Sequence, residues 1–261
     1  MKRYKANFHI HTTASFDGYN AFPAIYKKCK QAGINLIAIT DHDTIDGAIK
    51  FRKWLEKNQI TDLTLIPGEE ITCTDGTHII GLFIDNFIPS DTPLNVIKSI
   101  KEQEGLVYFP HPARKDGIMN SASYNDAVKL GNAFEVFNAK INNEFNIAAQ
   151  EELLKHTHLI PLAGSDAHYN ADILKCICEI ELDQKDLKIS FLNNGKDKIS
   201  IYGYKKQRGD NNYFSSYYKI KDELNLPQFV RKIGKFIFPL YKNFKERNNI
   251  YKLENIMVNE N

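Results

Sequence analysis

Short apolar runs alternate along the chain with segments whose apolar residues recur at helical spacing. The first run covers residues 4–8, and Ile34-Asn35-Leu36-Ile37-Ala38-Ile39 is nearly continuous. A run without polar alternation is how a parallel strand buried on both faces reads. Further runs lie at 63–66, 106–109, 133–137, 159–163 and 176–180, and His78 opens another over 79–84. Between them, helical spacing predicts helices over 24–32, 46–58, 92–104, 121–130, 145–155 and 184–193. Gly33 is placed to cap the first of these, and Asp75-Gly76 to turn a hairpin. Strand and helix alternate throughout, which implies a parallel α/β architecture and not a sandwich.

The polar residues fall on this pattern unevenly. His11, His42, Glu70, His111, Asn138, Asp166 and His168 each stand within a few residues after an apolar run. In βα barrels the carboxyl ends of the strands form one face, and the active site sits there. Six strands therefore deliver ligand-type side chains to one mouth. His9 and His11 lie two apart on an extended segment and point the same way. Asp166 and His168 repeat that spacing. Imidazoles converging with carboxylates suit Zn, Mn or Fe, and a carboxylate shared between cations is the recipe of two-metal hydrolysis. His156-Thr157-His158 has the same spacing but precedes its strand, at a helix end, so it belongs to the opposite face. His78 begins its run, and position alone does not assign it to either mouth. Asp43 is expected either to orient an imidazole or to cap the helix that begins near Asp46.

Composition adds bounds. The 261 residues, 43% hydrophobic and 25% charged, suit an ordinary globular protein of one barrel or two small domains. No apolar run is long enough to span a membrane. Cys29, Cys73, Cys176 and Cys178 form no Cys-x-x-Cys pair and read as buried thiols, in keeping with a reducing cytoplasm. Charge is divided. Residues 201–261 hold 12 Lys/Arg against 6 Asp/Glu, while residues 1–200 hold 22 against 26. Within the basic tail, Phe229, Val230, Ile233, Phe236, Ile237, Leu240, Tyr241 and Phe244 recur at helical spacing, interrupted by Pro239. Such a helix either docks its apolar stripe on protein or makes a weak contact with an anionic membrane or nucleic acid.

Taken in order, these residues resemble the polymerase and histidinol phosphatase (PHP) superfamily. His9-Ile10-His11-Thr12, with Ser15, Asp17 and Gly18, is similar to its first motif, and Thr40-Asp41-His42-Asp43 to its second. Gly68-Glu69-Glu70-Ile71-Thr72 resembles the segment that selects Glu70 over Glu69. His78-Ile79-Ile80-Gly81, Pro110-His111-Pro112-Ala113-Arg114 and Gly164-Ser165-Asp166-Ala167-His168 resemble the later motifs. The resemblance implies a distorted (β/α)7 TIM-like barrel over residues 1–200, followed by a basic helical extension over 201–261. It also implies two or three divalent ions. One would be held by His9, His11, Glu70 and Asp166, a second by Glu70, His111 and His78, and a third by Asp17, His42 and His168. The implied activity is phosphate-ester hydrolysis on a nucleotide, cyclic phosphate or nucleic-acid end. The alternatives are a histidinol-phosphatase-like phosphomonoesterase and a non-catalytic metal-binding module. Arg114, Asn138 and Lys140 are the expected substrate contacts. Arg114, His111, Asp166 and His168 are the expected catalytic groups, with the proton donor open between His111, His168 and water.

Overall fold

The computed structural model describes residues 1–194, 199–205, 241 and 251–258. Seven strands follow the predicted runs: β1 (Lys2–Asn7), β2 (Leu36–His42), β3 (Thr64–Thr72), β4 (His78–Leu82), β5 (Leu106–Phe109), β6 (Ala133–Asn138) and β7 (Ile160–Gly164). They are neighbours in that order in one sheet. β1–β2–β3 are parallel, as are β5–β6–β7, whereas β4 runs antiparallel to both β3 and β5. The turn at Gly76, with φ of 84°, makes that reversal possible, because a side chain is strained there.

The sheet curls until the chain after β1 meets the chain after β7. The segment after β1 bridges the segment after β7 at Ile10 and Ala167. His11 N–H donates to Ala167 O and Ala167 N–H to His9 O. Asn20 closes the same seam by donating to His11 O and Ala167 O, both at 2.8 Å. On the edge away from β2, β1 pairs antiparallel with β8 (Cys176–Leu182), which continues into β9 (Ile199–Gly203) and β10 (Glu254–Val258). The expected division after residue 200 falls inside β9.

Helices cover the sheet with one apolar face each. α2 (Asp46–Lys57) buries Gly47, Ala48, Phe51 and Leu55, and α3 (Pro93–Glu102) buries Pro93, Val96, Ile97 and Ile100. α1 (Phe22–Ala32) ends on Gly33 in a left-handed cap, as predicted. α4 (Tyr124–Leu130) starts later than expected, because residues 121–123 form a turn in which the Tyr124 N–H donates to Ser121 O. α5 (Asn143–Leu153) and α6 (Leu187–Asn194) complete the set. β2, β5, β6 and β7 are buried along almost their whole length, as apolar runs without alternation require. β3 is longer than its apolar run: it continues through Pro67 to Thr72, because β4 pairs with it from Gly68 onward. Glu70 is therefore inside a strand, not beyond its end. The predicted helix over 227–249 lies outside the described residues except at Tyr241, which is helical. No helix among the described residues is long and apolar enough to cross a membrane.

Candidate metal centre

The strand ends on one side of the curl bring the expected residues together. Parallel register sets His42 beside Glu70. β4 runs back from the mouth, so its first residue, His78, starts there, opposite Thr72. Glu70 is fully buried and is the hub. Its Oε2 lies 3.1 Å from His9 Nε2, 3.3 Å from His11 Nε2 and 3.4 Å from His42 Nδ1. Its Oε1 lies 2.9 Å from His78 Nδ1 and 3.0 Å from His111 Nε2. Asp166 Oδ1 stands 3.4 Å from His11 Nε2 and 3.3 Å from His168 Nδ1. Asp17 Oδ2 accepts from His168 Nε2 at 2.8 Å, with His42 Nε2 at 3.8 Å. His111 and Asp166 hold left-handed backbones, with φ of 29° and 48°, a strained geometry for side chains of this kind.

Charge follows from burial and crowding. Burial opposes a charged His9 ring, yet Glu70, Asp166 and Glu135 outweigh it and hold its pKa well above the imidazole norm. Burial also opposes ionised Glu70 and Asp166. For Glu70 the His42 and His9 rings win, for Asp166 the Lys140 ammonium and His9 win, and both acids lie well below the usual carboxylate range. Asp17 is lowered to about 2, despite burial, chiefly by its hydrogen bond from His168. Burial pushes His42 and His111 down, toward the neutral form that ligates.

The donor set fits divalent cations. Glu135 accepts from His9 Nδ1–H at 3.2 Å, which aims His9 Nε2 into the site 3.1 Å from His11 Nε2, where a divalent cation would replace the Nε2 proton that the carboxylates otherwise favour. Asp17 Oδ1 and His42 Nδ1 are buried and make no hydrogen bond. Ligand atoms of His11, Asp17, His42 and His168 all lie within 4.8 Å of one another, as do those of His9, His11 and Glu70 and those of His42, Glu70 and His78. Such groups of imidazole and carboxylate are ordinary coordination for Zn, Mn or Fe.

The rim is cationic. Arg114 donates to both oxygens of Asp116, contacts His111 Nε2 at 3.0 Å and reaches Asp166 at 3.6 Å. Lys140 Nζ lies 3.3 Å from Asp166 Oδ1 and 3.0 Å from His168 Nδ1, with 43% of its side chain exposed. Asn138 is buried, and its amide donates to Glu135 and Asp166. Neither role expected of Asp43 is what it does. Its carboxylate accepts the Thr72 N–H and hydroxyl, which ties the end of β2 to the end of β3, while Thr44 Oγ1 accepts the Asp46 N–H. His156 and His158 lie elsewhere, bonded to Tyr124 and to Val128 O respectively.

Three supporting acids were not singled out from the sequence. Glu135 accepts from His9, Tyr108, Asn138 and the His111 N–H. Asp41 holds the Thr12 and Ser15 amides. Asp116 anchors Arg114. Glu135 carried a signal, as a single acid within the apolar run Phe134-Glu135-Val136-Phe137. A register shift between Glu135 and Phe137 then brings Asn138 and Glu135 together. Glu69, the rejected neighbour, points the other way: it accepts the Ile88 N–H, and burial pushes it up to about 8.

Curled sheet and convergent imidazoles and carboxylates together define a candidate divalent-metal site. The chain belongs to the PHP domain family, whose match covers residues 7–221. It is 42% identical over 119 residues to an uncharacterized protein of Methanocaldococcus jannaschii, across 41% of this chain and 67% of that protein. It is 30% identical over 124 residues to a 5'-3' exoribonuclease of Haemophilus influenzae, across 45% of this chain and 42% of that one. In fold it resembles a two-domain protein of Bacteroides vulgatus containing a predicted PHP-like metal-dependent phosphoesterase. That likeness has a TM-score of 0.61 and 16% identity, across 77% of this chain and 65% of the other. The chain thus spans about two thirds, or less, of the lengths of these proteins.

Proposed function

We propose that the protein hydrolyses phosphate esters of nucleotides or nucleic-acid ends at a centre of two or three divalent ions, Mn, Zn or Fe. The observation that carries this is Glu70, one carboxylate met by five imidazoles from four different segments. His9, His11, Glu70 and Asp166 would hold one ion. Glu70, His78 and His111 would hold another, and Asp17, His42 and His168 a third. Divalent ions would supply Lewis acidity there, acidifying water and offsetting charge on phosphoryl oxygens. The chain's own groups do the rest. Arg114, oriented by Asp116, and Lys140 orient the phosphoryl group and balance its charge. Asn138 keeps Asp166 and Glu135 in place. Proton delivery to the leaving oxygen falls to water, or to whichever of His168 and His111 does not hold an ion, the imidazoles that Lys140 and Arg114 contact. The exoribonuclease relative supports a nucleic-acid end as substrate.

The test is elemental analysis of the purified protein, then a phosphate-release screen over mononucleotides, bisphosphates, cyclic phosphates and 5'-phosphorylated oligonucleotides. Release that is lost on chelation and restored by Mn or Zn is expected. A folded, metal-loaded protein that turns over none of these esters, by release of either phosphate or nucleotide, would favour the non-catalytic module instead. The four free, buried cysteines suit a cytoplasmic setting. The basic tail is proposed to add a weak electrostatic contact to nucleic acid or an anionic membrane. Replacing Arg231, Lys232 and Lys235 by Gln should flatten the salt dependence of oligonucleotide or liposome binding. An unaltered salt slope for both rules that contact out.

A further inference from the structure

Phe16 is the most exposed large apolar side chain among those described, at 83%, and it stands between two residues that face the metal-binding floor. Ser15 Oγ lies 3.3 Å from His11 Nδ1, and Asp17 Oδ2 bonds His168. The turn that carries all three is held from several sides. Thr12 and Ser15 N–H donate to Asp41 Oδ1 at 2.6 and 3.2 Å, Ala14 N–H donates to Thr12 Oγ1 at 3.0 Å, and Ser15 Oγ accepts the His42 N–H at 2.8 Å. It is also tight: a Cβ at Gly18 would sit 1.9 Å from Thr12 O. With Ser15 and Asp17 drawn inward, Phe16 is directed out, and the turn has no slack to fold it back.

The ring does not point away from the mouth. Its centroid lies 5.5 Å from that of His42, at 32°. From His42 the imidazoles continue to His78 at 5.3 Å and on to His111 at 5.4 Å, where Arg114 docks. The rim therefore carries an open aromatic face on its His42 side and phosphate-binding cations by His111 and His168. A planar base stacks on such a face irrespective of its identity, while its phosphate needs the cations.

We propose that Phe16 is the stacking platform for the nucleobase of the substrate, so that a base-bearing phosphate is preferred over a base-free sugar phosphate. This rests on the phosphoesterase reading above and adds to it a residue that sets specificity. Metal-loaded protein is titrated with AMP and with ribose 5-phosphate, which differ by the base alone. Wild type is expected to bind AMP about tenfold more tightly. Phe16→Ala and Phe16→Leu should both lose that gap, the leucine because it is apolar without a π face. Phe16→Trp should restore it, and its fluorescence should be quenched by AMP but not by ribose 5-phosphate. Equal or unmeasurable affinities in wild type, or a gap that survives in Phe16→Ala, would overturn the proposal. Failure of the hydrolase reading looks different: the AMP gap appears and responds to Phe16, yet no ester in the phosphate-release screen is cleaved.

Discussion

Glu135 accepts four hydrogen bonds, from His9, Tyr108, Asn138 and the His111 amide, so one buried carboxylate sets two of the imidazoles. Groups of this kind fix the tautomer and angle of a ligating histidine. Glu135→Gln keeps the shape but loses the charge that holds the His9 Nδ1 proton. It should weaken divalent-ion binding by about 10–100-fold, measured by competition with a chromophoric chelator. Equal competition by variant and wild type would show that Glu135 is mere filling. The thiols make a separate prediction. Burial pushes Cys29 and Cys73 up to about 12. The folded protein should leave both unalkylated at pH 8.5, and urea should expose them. An acid whose folded pKa is raised favours the folded state least when the unfolded chain can ionise, so their contribution declines as pH rises above about 9. Rapid alkylation in native buffer at pH 8.5 would contradict this.

At the scale of elements, the site depends on how closely strand ends approach. A Cβ on Gly164, the last residue of β7, would lie 2.3 Å from both Glu135 Oε1 and His9 Cβ. Gly164→Ala should therefore cost about 1–3 kcal/mol and lower the urea midpoint, since both neighbours are locked by the same network. The seam between the chain after β1 and the chain after β7 gives a second test. Asn20→Ala leaves two buried carbonyls short of a donor and should cost about 2 kcal/mol. An unchanged midpoint in either variant would mean that the curl relaxes at that point without loss. Both changes act through packing and hydrogen bonding around the ligands, without removing one.

At the scale of the molecule, Asp17, Glu70, Asp166 and Glu135 all lie within one interlinked cluster at one end of the sheet. Cations that bind the native centre and not the unfolded chain should stabilise it, by about 4 kcal/mol at a thousandfold excess over Kd. Chelation should accordingly lower Tm, and Mn or Zn should restore it; coincident melting curves with and without chelator would count against the centre. Much of this was legible beforehand. Apolar runs without alternation marked the buried strands, and ligand-type residues just after them marked one mouth, because a parallel strand always presents its carboxyl end to the same side. His11, His42, Glu70, His111, Asp166 and His168 all converge there. What the chain's order did not disclose were features made by contact. β4 runs antiparallel, and that alone turns His78, which opens its strand, toward the mouth. Glu135 lies inside an apolar run, and only its neighbours across three strands give it a purpose. Asp43 ties two strand ends through Thr72, a partner 29 residues away. Local periodicity reports which face of an element is buried. Strand direction, pairing partners and the protons shared between distant side chains are settled only when the sheet closes, since they depend on residues that meet nowhere along the chain.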